Sequence, residues 1–330
     1  MSRSKTRIGV LGCAKIARRS VIPAILELAN DFELVAVASR NITKANEFAK
    51  EFGCEAIAGY DNIINCDDID ALYVPLPTGM HHEWVGKAIA AGKHVYVEKS
   101  FASTSAQTRS LIAAATTNKV ALMEGYMFLY HRQQALVHSM IGEGQLGDLR
   151  HFYGCFGFPP LPTDDFRYQE ELGGGVLMDA AGYPLRAARF FCGESLVVQA
   201  ATVSRDPNKG NSLWGSAYLS NGEGLGASIA FGFDNAYQCR YEIWGSYGKI
   251  TAERAYTPGP SFSPRLIFEA ANGARVIDVE PDNHFVGAMM EFRNLVTDSS
   301  FRHVQYQQIL SQSQAIEDIR GLAARGQTKL

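Results

Sequence analysis

Two stretches of this chain carry side chains that can handle a proton. The apolar run His94-Val95-Tyr96-Val97 delivers Glu98-Lys99 to a strand end, and Gly173-Gly174-Gly175 leads into Val176-Leu177-Met178-Asp179-Ala180-Ala181-Gly182-Tyr183-Pro184. An ammonium or a phenol can donate to a developing alkoxide, and a neighbouring carboxylate holds either in a defined orientation and charge state. Strand alternation sends Glu98 and Lys99 to opposite sides, so one can face a cleft while the other supports the loop or a cofactor. Asp179 and Tyr183, four residues apart, fall on one face of a helix, one turn from each other. Pro184 offers no N–H to the carbonyl of Ala180, which predicts a kink and leaves that carbonyl for the cleft.

A third stretch looks like a nucleotide turn. Arg7-Ile8-Gly9-Val10-Leu11-Gly12-Cys13-Ala14-Lys15-Ile16-Ala17 is a strand, a tight small-residue turn and a helix start. Against G-x-G-x-x-G it keeps Gly12 for the turn, with Ala14 and Ala17 small enough for close approach of a pyrophosphate and of helix to strand. The amides of the following helix would aim at the phosphates. The next strand, Phe32–Ser39, ends in Ser39-Arg40. No acid stands there for a ribose 2′-hydroxyl, whereas an arginine suits a 2′-phosphate, so the expected cofactor is NADP(H) in preference to NAD(H). Taken singly, each stretch is also compatible with ordinary packing or a solvated charge. Their combination is what points to chemistry.

These residues need a scaffold of alternating strands and helices. Strands are expected at 6–12, 32–39, 71–77, 94–99 and 120–126, with helices at 14–28, 43–52 (Thr43 as N-cap), 81–91 and 104–118. Near-continuous apolar runs fit strands buried on both faces of a parallel sheet. After Gly147 the texture changes to strands at 149–158, 196–205, 213–221, 224–234, 238–245, 248–255, 265–271 and 275–280. Helices at 175–191, 283–298 and 305–324 interrupt or close this region. The expected fold is an α/β Rossmann-like domain over 1–125 and an α+β domain over 126–330. The second is built on a large open, mostly antiparallel sheet, and the last helices are candidates to pack back on the first domain. A sheet covered by helices on one face leaves the other for a partner subunit, giving a homodimer or homotetramer.

The 330 residues, 46% hydrophobic with net charge −3, support two cores and give no electrostatic reason to expect nucleic acid. No apolar run reaches membrane-spanning length, so no membrane association is expected. Ser2-Arg3-Ser4-Lys5-Thr6-Arg7 ahead of an apolar stretch has the order of a secretory leader, and Leu11-Gly12-Cys13 that of a lipoprotein site. The uncharged run Ile8 to Ala14 is at the lower limit of a leader core and is broken by Lys15, so a buried first strand explains it better. Six scattered cysteines without C-x-x-C argue for free thiols in a reducing, cytoplasmic setting. The histidines show no chelating spacing, His81-His82 being the sole adjacent pair, and no metal is expected.

Taken together the arrangement resembles the Gfo/Idh/MocA family of nicotinamide-dependent sugar oxidoreductases over nearly the whole chain. The matching pieces are Gly12-Cys13-Ala14 with Ile16-Ala17, Pro75-Leu76-Pro77 followed by His81 and Glu83-Trp84, Ala91-Gly92-Lys93-His94-Val95 leading to Glu98-Lys99, and Gly173 to Tyr183. The resemblance implies active-site roles for Lys99 and Asp179. Tyr183 stands where the family often has histidine. With Arg167-Tyr168-Gln169 and Tyr126-Met127-Phe128-Leu129, this is similar to the subgroup reducing the C-3 ketone of nucleotide-linked (dTDP-type) deoxysugars. The resemblance further implies cofactor contacts from Gly12, Cys13, Ala14, Lys15, Ile16, Ser39, Arg40, Tyr60, Leu76, His81, Glu98 and Lys99, and substrate contacts from Tyr126, Arg167, Asp179 and Tyr183. Two residues depart from the pattern: Ser100 replaces the proline of Glu-Lys-Pro, and Ala14 a common glycine. The expected function is an NADPH-dependent reductase of a sugar ketone, with Lys99 or Tyr183 as the acid. An oxidative enzyme on a free sugar, inositol or dihydrodiol, and a non-catalytic dinucleotide sensor, are the alternatives.

Overall fold

The computed structural model describes residues 5–169, 172–205 and 212–327. The chain divides into two compact units: the residues up to Gly125 with Phe285–Leu310, and Tyr126–His284 with the chain from Ser311 on. The leader-like Ser2-Arg3-Ser4 lies outside the described residues.

The first unit holds six strands: β1 (Thr6–Leu11), β2 (Phe32–Ser39), β3 (Glu55–Ala58), β4 (Ala71–Val74), β5 (His94–Val97) and β6 (Leu122–Glu124). They pair in parallel in the order β3-β2-β1-β4-β5-β6. The crossover helices are α1 (Ile22–Glu27, after a π-helical turn at Ala17–Val21), α2 (Ile42–Phe52), α3 (Tyr60–Ile64), α4 (His81–Ala90) and α5 (Ser105–Asn118). Because helices cover both faces, β4 and β6 are buried at every position, which is the physical source of the continuous apolar runs. Leu11, Val74, Val97 and Leu122 from the strands pack with Ile63, Val85 and Leu111 from the helices.

Two later helices appear here as well, α8 (His284–Thr297) and the first part of α9 (Arg302–Gln327). Arg302 donates to the carbonyls of Leu295, Val296 and Lys119, and the Tyr306 hydroxyl to that of Val120. The end of α8, the start of α9 and the turn before β6 are thereby joined. Helix α2 is capped by Asn41, whose Oδ1 accepts from the amides of Thr43 and Lys44, so Thr43 is not the cap. Asn41 has extended backbone angles and a side chain one carbon longer than a hydroxyl residue offers, which reaches both amides. Strand β3 is short and only partly buried, so it lacks the apolar run that marks its neighbours.

The second unit contains α6 (Arg132–Gly142), α7 (Gly182–Cys192, after a π-helical turn at Leu177–Ala181), the rest of α9 and an eight-stranded sheet. Its strands are β7 (Leu149–Gly157), β8 (Val197–Arg205), β9 (Ser212–Ser220), β10 (Gly226–Gly232), β11 (Gln238–Gly245), β12 (Gly248–Glu253), β13 (Arg265–Ala270) and β14 (Gly273–Asp278). The order is β14-β13-β12-β11-β7-β10-β9-β8, antiparallel except where β7 and β10 run parallel. Alternation splits the faces. Phe152, Phe156, Ile229, Phe231, Tyr241 and Ile243 are buried, while Tyr153, Trp214, Tyr218 and Trp244 on the opposite face are exposed. No helix among the described residues is long and apolar enough to cross a membrane.

Helix α7 lies on β7 at Gly154, where an added Cβ would come 3.0 Å from Cβ of Pro184. The proline is met by the wider π-helical turn just before it, which accommodates a residue that has no N–H to give. The far end of α7 is held electrostatically. The nearly buried Arg186 and Arg189 bind Glu194 at 2.7 and 2.9 Å, and Ser311 donates to the same carboxylate. Burial raises the Glu194 carboxyl, but Arg186, Ser311 and Arg189 outweigh it and hold it below its ordinary value. Replacing Glu194 by Ala leaves two guanidinium groups without a carboxylate. We expect a loss of about 2–3 kcal/mol, below the range for fully buried pairs because Glu194 is partly exposed. Thermal denaturation reads this. A folded carboxylate that titrates low stabilises fully above the unfolded value of 4.5, so the wild-type advantage over Glu194→Gln should shrink as pH falls below it.

Candidate active site

In the first unit, strand order reverses direction at β1, flanked by β2 on one side and β4 on the other. Such a switch point opens a crevice at the carboxyl ends of the strands, where dinucleotides bind in open α/β sheets. Gly12 leaves β1 with φ of 125°, a conformation that residues bearing a side chain rarely adopt. A Cβ there would also meet Leu76 Cδ2 at 2.9 Å, with the Tyr60 hydroxyl 3.9 Å away. Gly12 is thus held between the exits of β1 and β4 with no room for substitution.

The neighbouring expected residues gather at the same edge. Cys13 lies beside Ser39 at the tip of β2, and its thiol is pushed up by burial, with Ser39 acting the other way. Tyr60 is raised by burial too, with the Arg40 guanidinium beside it pulling the other way. Ser39 Oγ accepts from the amide of Asn41, and Arg40 stays exposed. Gly12, Cys13, Ser39, Arg40, Tyr60 and Leu76 therefore form one cluster. Ala14, Lys15 and Ile16 enter the helix that follows, with the Arg18 amide bonded to the Ala14 carbonyl. The cradle fits a dinucleotide with a 2′-phosphate: it lacks a Cβ at the turn and carries a cation, with no carboxylate, at the β2 tip.

Two residues expected on the cofactor path, His81 and Glu98, make hydrogen bonds within the protein. His81 has 0% exposure, its Nε2 2.7 Å from the Leu76 carbonyl and its Nδ1 2.9 Å from that of Ser100. Its ring fills the space between the loop after β4 and the loop after β5; burial lowers its pKa, with the surrounding carbonyls acting the other way. The sequence could not show this, because a histidine at a helix start carries no sign of which carbonyls will surround it. Glu98 accepts a hydrogen bond of 2.7 Å from Tyr73, a fully buried residue stacked on Tyr96. Its carboxylate faces the sheet's aromatic packing, as support for the loop. On the other side, the Phe101 amide donates to buried Glu124 at 2.8 Å. His81, Tyr73 and Glu124 thus fasten the segment around Lys99, whose peptide bond to Ser100 is cis. Glu124 was not singled out from sequence; an acid inside an apolar strand run was the available signal.

In the second unit, Tyr183 is 7% exposed within a ring of aromatics. Phe156 lies 4.7 Å away between centroids, Tyr256 5.8 Å, and Tyr126 and Phe128 5.9 Å, with Tyr126 edge-on. Such packing fixes the ring plane and so the direction of its hydroxyl. Asp179 binds Arg167 Nε at 2.9 Å, and Arg167 also binds Asp165 at 3.1 Å. Burial works against the guanidinium charge, but Asp179 and Asp165 outweigh it and hold it above its ordinary value. Two residues treated separately in the sequence thus form an ion pair, and Asp165 completes it. The π-helical turn Leu177–Ala181 contains Asp179 and ends before Tyr183, so their four-residue spacing is not that of a regular α-helix. Among the described residues no cluster of His, Cys, Asp or Glu could hold a metal.

Comparison with known proteins fits this layout. Residues 6–126 match the model of the oxidoreductase family with an NAD-binding Rossmann fold, and 135–251 match the GFO/IDH/MocA C-terminal domain. A dTDP-3,4-didehydro-2,6-dideoxy-alpha-D-glucose 3-reductase of Saccharopolyspora spinosa is 46% identical over 78% of this chain and 77% of its own. The enzyme of the same name from Streptomyces antibioticus is 36% identical over 98% of both. KijD10, a 3-ketoreductase from Actinomadura kijaniata solved with NADP and TDP-benzene, superposes with a TM-score of 0.92 at 35% identity, covering 97% of this chain and 98% of that one. Gly12→Ala should both strain the turn and press on Leu76. A rise in the NADPH dissociation constant of roughly tenfold or more is expected, about 1.4 kcal/mol, measured by nicotinamide fluorescence titration.

Proposed function

Because this chain belongs to the GFO/IDH/MocA oxidoreductase family, we propose that it reduces the C-3 ketone of a dTDP-linked keto-deoxysugar with NADPH. The observation that carries this reading is full-length similarity to enzymes of that activity, with a tyrosine at position 183 and an Arg167–Asp179 pair beside it in the chain.

NADPH, held by the cluster around Gly12 with Arg40 on its 2′-phosphate, would supply the hydride to the ketone carbon. The protein's own task is position and a proton. Turning a carbonyl into an alcohol requires one proton at its oxygen. Tyr183, its ring fixed by four aromatics, and Lys99, on a loop fastened by His81 and Glu124, are the two donors available. One gives the proton and the other polarises the oxygen. Arg167, oriented by Asp179 and Asp165, contacts the substrate. Loss of a positioned proton donor costs roughly 10²–10⁴-fold. Single-turnover hydride transfer is therefore expected to fall by that order in Tyr183→Phe or Lys99→Ala, and less in Asp179→Asn. Near wild-type rates in all three would remove this assignment.

The exposed face of the second sheet supports a homodimer or homotetramer. Tyr153, Trp214, Tyr218 and Trp244 lie on one surface, the kind of aromatic patch that subunit contacts bury. Sedimentation should find an oligomer that Trp244→Glu dissociates; a wild-type monomer at every concentration would end the idea. Six free thiols fit a reducing cytoplasm.

A further inference from the structure

Gln312, in the middle of α9, is 1% exposed. Its Nε2 lies 3.0 Å from the Gly182 carbonyl and 3.3 Å from the Tyr126 hydroxyl. A carbonyl oxygen can only accept, so the amide must present its NH₂ side to this corner. The Tyr126 oxygen then receives the second N–H, and its own proton is directed to a partner other than Gln312. The packing around this corner leaves no slack. A Cβ added to Gly182 would overlap the Tyr126 hydroxyl, so that phenol rests directly on the backbone one residue before Tyr183. Its ring also meets Tyr183 edge-on, with centroids 5.9 Å apart at 85°. Among the described residues nothing hydrogen-bonds Gln312 Oε1. A buried amide so incompletely paired is a poor choice for stability alone, where an apolar side chain of the same volume costs less.

We propose that Gln312 is a positioning residue for the reaction: its amide sets the hydroxyl direction of Tyr126 and holds the backbone corner that carries Tyr183. The proposal rests on Tyr183 acting at the substrate carbonyl, and deepens that reading by adding a residue from a different part of the chain.

The test compares Gln312→Met, Tyr126→Phe, Tyr183→Phe and the Gln312→Met/Tyr126→Phe double variant in single-turnover hydride transfer across pH, with NADPH affinity measured in parallel. Losing a hydrogen bond that matters in the transition state should slow Gln312→Met by roughly five- to tenfold. Its pH profile should shift, NADPH affinity should not change, and the double variant should fall short of the product of the two single effects. A merely structural role would lower the melting temperature and leave the rate per folded molecule and the pH profile unmoved; that result overturns the proposal, as does full additivity. If Gln312→Met does not fold, Tyr126→Phe reads the same link, and a wild-type rate and profile there are equally fatal. A crippled Tyr183→Phe beside an unaltered Gln312→Met removes Gln312 alone. A fully active Tyr183→Phe removes the proton-donor reading, and this proposal with it.

Discussion

All six strands of the first sheet run the same way, and that constraint puts every chain exit from a strand on one edge. Reversal of strand order at β1 then splits the edge and opens a crevice. Gly12, Ser39-Arg40, Leu76 and Lys99 come from four different strand ends, yet each is delivered to this edge by the same parallel geometry. Gly12 has the tightest requirement. It answers for a left-handed backbone and for the approach of Leu76 together, so the exit of β1 and the exit of β4 are set by one missing Cβ.

Where the chemistry needs rigidity, buried polar groups supply it. His81 takes its place among three backbone carbonyls, Glu124 receives the Phe101 amide, and Gln312 grips the Gly182 carbonyl. Each lies near Lys99 or Tyr183, for which the chemistry is proposed, and none is exposed enough to meet solvent freely. Apolar packing alone would hold these segments with less direction, because dispersion contacts do not fix an orientation as hydrogen bonds do.

The second unit solves a different problem. Its sheet has one face packed against helices and one face that carries exposed aromatics, a division set by strand alternation across eight strands. Aromatic residues serve both faces. Phe156, Tyr256, Phe128 and Tyr126 surround Tyr183; outward, Trp214, Tyr218 and Trp244 form the surface proposed for subunit contact. On the strands, the pleat decides which face each aromatic takes.

Much of this was legible from the chain. The eight strands of the second sheet and five of the six in the first follow from apolar runs and alternation, because burial of strand faces leaves that pattern directly in sequence. The nucleotide turn, the β2 tip without an acid, Lys99, and the Asp179–Tyr183 stretch were likewise visible as local spacings. Strand β3 and helices α3 and α6 were not: β3 is an edge strand, α3 spans five residues, and α6 mixes polar and apolar residues about evenly. By itself the sequence determined which side chains are available and which elements bear them, since these depend on neighbours a few residues apart. Tertiary structure alone decided that Arg167 pairs with Asp179, that His81 is a buried clamp, that Asn41 rather than Thr43 caps its helix, and that Gln312 reaches Gly182 from 130 positions away. Hydrogen-bond partners are chosen by distance in space and by which groups remain unsatisfied after the chain has packed, and neither is written in local order.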